Sequence, residues 1–141
     1  MRWSEVSPDT THDWFPDGVT DGGDTFIELQ AIGVSLNLDG WTVRILDASD
    51  DELGSVDLGG EAITAANGYY VVFGHDLGAT VPGTGTAQFI NPLGTVVVSR
   101  AWASVTGSSQ WTGSTYSTAY LSTPGRAYNW WSTHSTPTPI P

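Results

Sequence analysis

The sequence predicts an all-β chain, and three observations predict it. No window keeps a sustained helical period of apolar residues. Short runs of β-branched and aromatic residues recur instead, with Tyr69-Tyr70-Val71-Val72-Phe73 and Thr95-Val96-Val97-Val98-Ser99 the clearest. Turn signals separate the runs at Asp39-Gly40, Gly59-Gly60, Asn67-Gly68, Pro82-Gly83, Gly107 and Pro124-Gly125. Many short strands with frequent turns build a sandwich or a barrel.

Taken in order, the expected strands are Trp3–Val6, Phe26–Ile32, Trp41–Leu46, Tyr69–Phe73, Gln88–Ile90, Thr95–Ser99, Ala101–Val105 and Thr118–Leu121. Within the third, Trp41, Val43 and Ile45 alternate with Thr42, Arg44 and Leu46, the pattern of a half-buried strand. With 141 residues the chain suffices for one domain with its own core. That domain is expected over residues 1–131. Residues 132–141 read Ser-Thr-His-Ser-Thr-Pro-Thr-Pro-Ile-Pro, a Pro/Thr tail that favours polyproline II, with a neighbouring subunit as its expected anchor.

Between the first two strands lies Asp13-Trp14-Phe15-Pro16-Asp17-Gly18-Val19-Thr20-Asp21-Gly22-Gly23-Asp24. Carboxylates stand at positions one, five, nine and twelve of this twelve-residue window, with Gly18 at the sixth. That spacing fits a loop folded around one structural Ca²⁺ ion. Asp13, Asp17, Asp21 and Asp24 would ligate through side chains and Val19 through its carbonyl, in a weak site because Phe15 has no ligating atom. The other reading is an acidic Asp/Gly turn held by side-chain-to-backbone hydrogen bonds.

Charge is distributed unevenly. The net charge is −11, and all fifteen acids lie between Glu5 and Asp76. Residues 1–76 carry a net −13, while residues 77–141 carry only Arg100 and Arg126. There is no lysine, so a nucleic-acid partner is not expected, because neutralising phosphates takes a basic stripe. No apolar run approaches the roughly 20 residues that span a bilayer as a helix, and no signal peptide is expected in the polar stretch after Met1-Arg2-Trp3. Cysteine is absent, which excludes disulfides and thiolate metal sites.

Several segments in order resemble the lamin-tail domain family. They are Ser4-Glu5-Val6, Asp24-Thr25-Phe26-Ile27-Glu28-Leu29, Leu38-Asp39-Gly40-Trp41-Thr42-Val43, Ala66-Asn67-Gly68-Tyr69-Tyr70-Val71-Val72 and Ser122-Thr123-Pro124-Gly125-Arg126-Ala127-Tyr128-Asn129. Bacterial members often carry an acidic Asp/Gly loop between the first two strands, as here. The resemblance implies an immunoglobulin-like antiparallel β-sandwich without intrinsic catalysis, serving adhesion, assembly or targeting. Two positions depart from the pattern: Gln30-Ala31 stands where the family has Tyr-Asn, and Phe15 where its loops have Asn.

Catalytic alternatives have little behind them. Glu5 and Glu28 sit in apolar strands and read as buried or edge carboxylates before they read as an acid–base pair. His12, His75 and His134 have no ligand-spaced partners and read as surface residues. His75-Asp76 has no nucleophile elbow beside it. Gly83-Thr84-Gly85 lacks the third glycine and the helix of a phosphate loop. The aromatics of the last third, Trp111, Tyr116, Tyr120, Tyr128, Trp130 and Trp131, are the expected contact residues for a partner or ligand, since seven tryptophans exceed what one sandwich core usually holds. The function expected is therefore a structural or assembly module of an extracellular surface layer, filament or virion shell, not an enzyme, whose partners are copies of itself or neighbouring subunits. The alternative is a calcium-dependent carbohydrate-binding or adhesion module.

Overall fold

The structure, a computed structural model, describes residues 1–33, 35–60, 62–63, 68–112 and 115–119. Its elements are β1 (Arg2–Ser7), a 3₁₀ turn (Gly22–Asp24), β2 (Phe26–Gln30), β3 (Leu36–Asn37), β4 (Thr42–Leu46), β5 (Glu52–Asp57), β6 (Ala62–Ile63), β7 (Tyr69–Phe73), α1 (Gly74–Leu77), β8 (Gly85–Ile90), β9 (Val96–Trp102), β10 (Ser108–Trp111) and β11 (Tyr116–Ala119). The chain is nearly all-β, as expected.

Two main sheets form, both antiparallel throughout. The first has the order β11-β10-β1-β2-β7 and the second β5-β4-β8-β9, while β3 and β6 make a short separate pair. Alternation along the strands decides which side chains go in. In the first sheet Val6 stands opposite Ile27, and Ile27 opposite Val72, all at or below 2 % exposure. In the second, Val43 stands opposite Phe89, and Ile45 opposite Ala87. These residues join Trp3, Leu29, Leu38 and Trp102 in one apolar cluster. The Trp3 ring of the first sheet meets Phe89 of the second edge-on at 6.1 Å and ties the two sheets face to face as a sandwich, while Trp41, next to β4, stacks on Phe89 at 4.3 Å within the second sheet.

Arg100 bridges the layers. Its guanidinium leaves β9 on the core side and donates to the carbonyl and to the hydroxyl of Ser109 on β10. Gly85 marks another close approach, since a Cβ there would lie 2.5 Å from the Leu46 carbonyl oxygen.

The outer face of the first sheet is buried too. Glu5 stands opposite Glu28 across β1 and β2, and both are 1 % exposed, as is Gln110 opposite Glu5. The Ser4 hydroxyl donates to the Glu28 carboxylate at 2.6 Å. Farther along the same face, Phe26 stands opposite Phe73, with ring centroids 5.9 Å apart. That aromatic pair is the floor on which the acidic loop rests.

Candidate functional site

The Asp13–Asp24 loop is built from its own side chains. Asp24 is buried and accepts the Phe15 amide at 2.9 Å and the Asp21 amide at 2.8 Å. Asp21 in turn accepts the Gly23 amide, completing a capping box around the 3₁₀ turn. Asp13 accepts the Gly18 amide at 3.1 Å, and Asp17 accepts the Val19 amide at 3.0 Å. Gly18 holds the left-handed turn at φ 85° that the spacing calls for. All four aspartates thus serve backbone amides, the bonding pattern of an Asp/Gly turn. Val19, the remaining expected ligand, has a side chain 54 % exposed. Among the described residues no group of three or more His, Asp or Glu side chains is gathered as a metal ion requires.

Phe15 has a different part from the one the spacing assigns to its position. Its ring stacks on His75 at 4.0 Å and meets Phe73 edge-on at 5.5 Å, which pins the loop to the outer face of the first sheet and to α1. At the loop's entry His12 bonds Asp9 at 2.9 Å and stacks on Trp14 at 5.2 Å. Between loop and α1 opens a cleft of about 370 Å³, bordered by Asp17, Asp21, His75 and Thr80. His75 reaches Asp76 only at 3.4 Å, and both are exposed. Gly74 closes the junction: a Cβ there would lie 2.4 Å from the Gly22 carbonyl oxygen and 2.6 Å from that of Ala79.

A second cluster forms at the β10–β11 end of the first sheet. Trp111 and Tyr116 stand opposite each other in the hairpin, with rings edge-to-face at 5.1 Å. The Arg2 guanidinium lies 4.6 Å from the Trp111 ring centroid, and that of Arg100 lies 3.5 Å from the centroid of Tyr116. The Tyr116 hydroxyl donates to the Trp3 carbonyl at 2.8 Å, while the residue as a whole is 37 % exposed. Burial pushes the Arg100 guanidinium down to about 10, against the opposing pulls of Tyr116 and Glu5, so it stays a cation at neutral pH.

The structure therefore brings together two of the six expected contact residues, Trp111 and Tyr116. Tyr120, Tyr128, Trp130 and Trp131 lie outside the described residues, as do His134 and the tail at 132–141. Sequence reasoning missed the two arginines of the strip. Arg2 precedes the expected first strand with no pattern that singles it out, and no local pattern aims Arg100 across the sandwich. Comparison with protein-family models, with curated proteins and with solved structures gives no match.

Proposed function

We propose that this chain is a non-enzymatic assembly module. It is an immunoglobulin-like β-sandwich of lamin-tail type that serves as a subunit of an extracellular surface layer, filament or virion shell. The observation that carries this reading is the strip Arg2–Trp111–Tyr116–Arg100. Tryptophan, tyrosine and arginine are the side chains on which protein interfaces concentrate their binding energy. Here they meet at one end of one sheet, in a chain that has only four cationic residues.

The stacking supports a protein partner over a sugar. A carbohydrate platform offers an open ring face, and one face of each ring is already taken by a guanidinium. Charge supports a neighbouring subunit, because the strip's hairpin lies in the acid-free half of a strongly acidic chain.

Light scattering over a concentration series tests the reading. The account expects open-ended growth in mass for the wild type and its loss in Trp111→Ser. A mass that never grows, together with glycan-array binding lost in Tyr116→Ala, would overturn it in favour of the carbohydrate-binding module.

A further inference from the structure

The second sheet has two unlike edges. At one edge, β5 begins and ends with the exposed acids Glu52 and Asp57 and follows exposed Asp50 and Asp51. It also packs against α1. Charge and a covering element are among the devices by which proteins keep sheet edges from pairing. Among the described residues the opposite edge, β9, has no acid and no helix packed on it, and its one charged residue, Arg100, is turned to the core side. Among the described residues no strand pairs with its outer side. It opens with Val96 and Val97, 39 % and 47 % exposed, and the β8–β9 turn before it presents Leu93 at 90 % exposure. A bulge leaves Val97 without a partner on β8, since Phe89 stands opposite Val98 and Ile90 opposite Val96.

We propose that the outer edge of β9 is the docking site for the β9 edge of a second copy of this chain, forming a two-fold dimer whose second sheets join across the axis. Two observations select a second copy. The first is self-complementarity. Thr95-Val96-Val97-Val98-Ser99 reads nearly the same in both directions. An antiparallel pair centred on Val97 sets Val97 against Val97, Val96 against Val98 and Thr95 against Ser99. Those are apolar and hydroxyl cross-strand pairs, and each satisfies both partners at once, as an isologous interface requires. The second is charge. Copies of a chain with net charge −11 repel one another over most of their surface, but no acid occurs anywhere from residue 77 onward. Pairing through β9 brings no carboxylates of that segment together, whereas an antiparallel pairing of β5 with its copy sets Glu52 of each chain against Asp57 of the other.

β9 contributes Arg100 to the Trp111–Tyr116 strip, but from its core side, and Val97 lies outside that strip, so the two contacts can fail independently. The chain has no cysteine, which allows a clean cross-linking test. Sedimentation equilibrium is run on Trp111→Ser, which removes the larger assembly and leaves the β9 edge untouched. Up to about 1 mM, where even weak complexes populate, it is expected to show a dimer that tightens with added salt as the −11 charge is screened. Adding Val97→Lys to that variant is expected to weaken the dimer by roughly tenfold or more, by placing like charges on the axis, with its fold unchanged by circular dichroism. In the same background under mild oxidation, Val97→Cys is expected to give a cross-linked dimer, and Ser55→Cys on the β5 edge is expected to stay without a cross-link. The inference is overturned by Trp111→Ser protein that stays monomeric up to that concentration, by a dimer that survives Val97→Lys, or by cross-linking no faster at Val97→Cys than at Ser55→Cys.

Discussion

Phe15 stacks on His75, with ring centroids 4.0 Å apart and planes 15° from parallel. The contact joins a loop that precedes β2 to the helix that follows β7, across sixty residues of sequence. It explains why an apolar side chain sits where the acidic spacing calls for a ligand. The loop is clamped from below by an aromatic stack, and its carboxylates are turned toward its own amides. Phe15→Ala removes that clamp and is expected to cost about 1–2 kcal/mol in urea unfolding, from lost apolar burial and ring contact. A cost near zero would mean that the loop holds without it.

The four aspartates are expected to differ sharply. Asp24→Ala leaves the amides of Phe15 and Asp21 without their acceptor, in a part-buried place, and is expected to cost about 2–4 kcal/mol. Asp13→Ala and Asp17→Ala, whose caps are exposed, are expected to stay within about 0.5 kcal/mol of wild type. A calcium loop would rank them otherwise, because each ligand lost would lower affinity. Melting curves with excess Ca²⁺ and with chelator are therefore expected to superimpose. A Tm that rises with Ca²⁺ and falls back with chelator would mean that the loop is a metal clip.

Gly74 and Gly59 make a matched pair. A Cβ at Gly74 would press into three oxygen atoms within 2.7 Å, two of them backbone carbonyls, whereas one at Gly59 would meet nothing within 4 Å. Gly74→Ala is expected to lose about 2–4 kcal/mol through forced backbone shifts. Gly59→Ala is expected to be neutral or to gain up to about 1 kcal/mol by restricting the unfolded chain. Thermal unfolding of the two variants reads both.

Alkaline pH acts on two groups in opposite directions. Burial raises the Tyr69 hydroxyl above its ordinary 10.0, helped by the carboxylates of Glu28 and Glu5 and opposed by Arg2. An acid whose folded value is raised contributes stability that is full below pH 10 and is lost as pH climbs through the folded value. Arg100, lowered by burial to about 10 from the ordinary guanidinium range, does the reverse: above pH 10 the unfolded chain holds that proton more tightly, so stability gains with pH. Tyr69→Phe removes only the falling contribution. The alkaline limb of its stability profile is expected to be shallower than that of the wild type, and equal slopes would contradict the assignment.

Strands were legible where the sequence carried a period or a β-rich run. Tyr69–Phe73 has the bounds expected of it, and β1, β2 and β4 lie within a residue or two of the expected ones. Of the expected strand at 101–105 only Ala101 and Trp102 are in a strand, as the end of β9, which runs on from the valine run, and residues 103–105 are not. β5 and β10 were not legible. β5 is Glu-Leu-Gly-Ser-Val-Asp, polar at both ends because it is a guarded edge. β10 is Ser-Ser-Gln-Trp, and it is polar although Ser108, Ser109 and Gln110 are all buried. Tertiary partners decide such a strand: Ser109 takes the Arg100 guanidinium, and the Gln110 amide donates to Ser108. Of the candidate site, the capped loop was legible in its aspartate spacing. The arginines of the strip were not, because only the closed sandwich brings Arg100 within 3.5 Å of the Tyr116 ring centroid.

Electron microscopy of the purified protein tests the assembly account most directly. The account predicts ordered layers, filaments or shells for the wild type that grow with concentration, and dispersed small particles for Trp111→Ser whose circular dichroism matches the wild type. Wild-type protein that stays as dispersed single particles at every concentration, or assemblies that Trp111→Ser leaves unchanged, would contradict it.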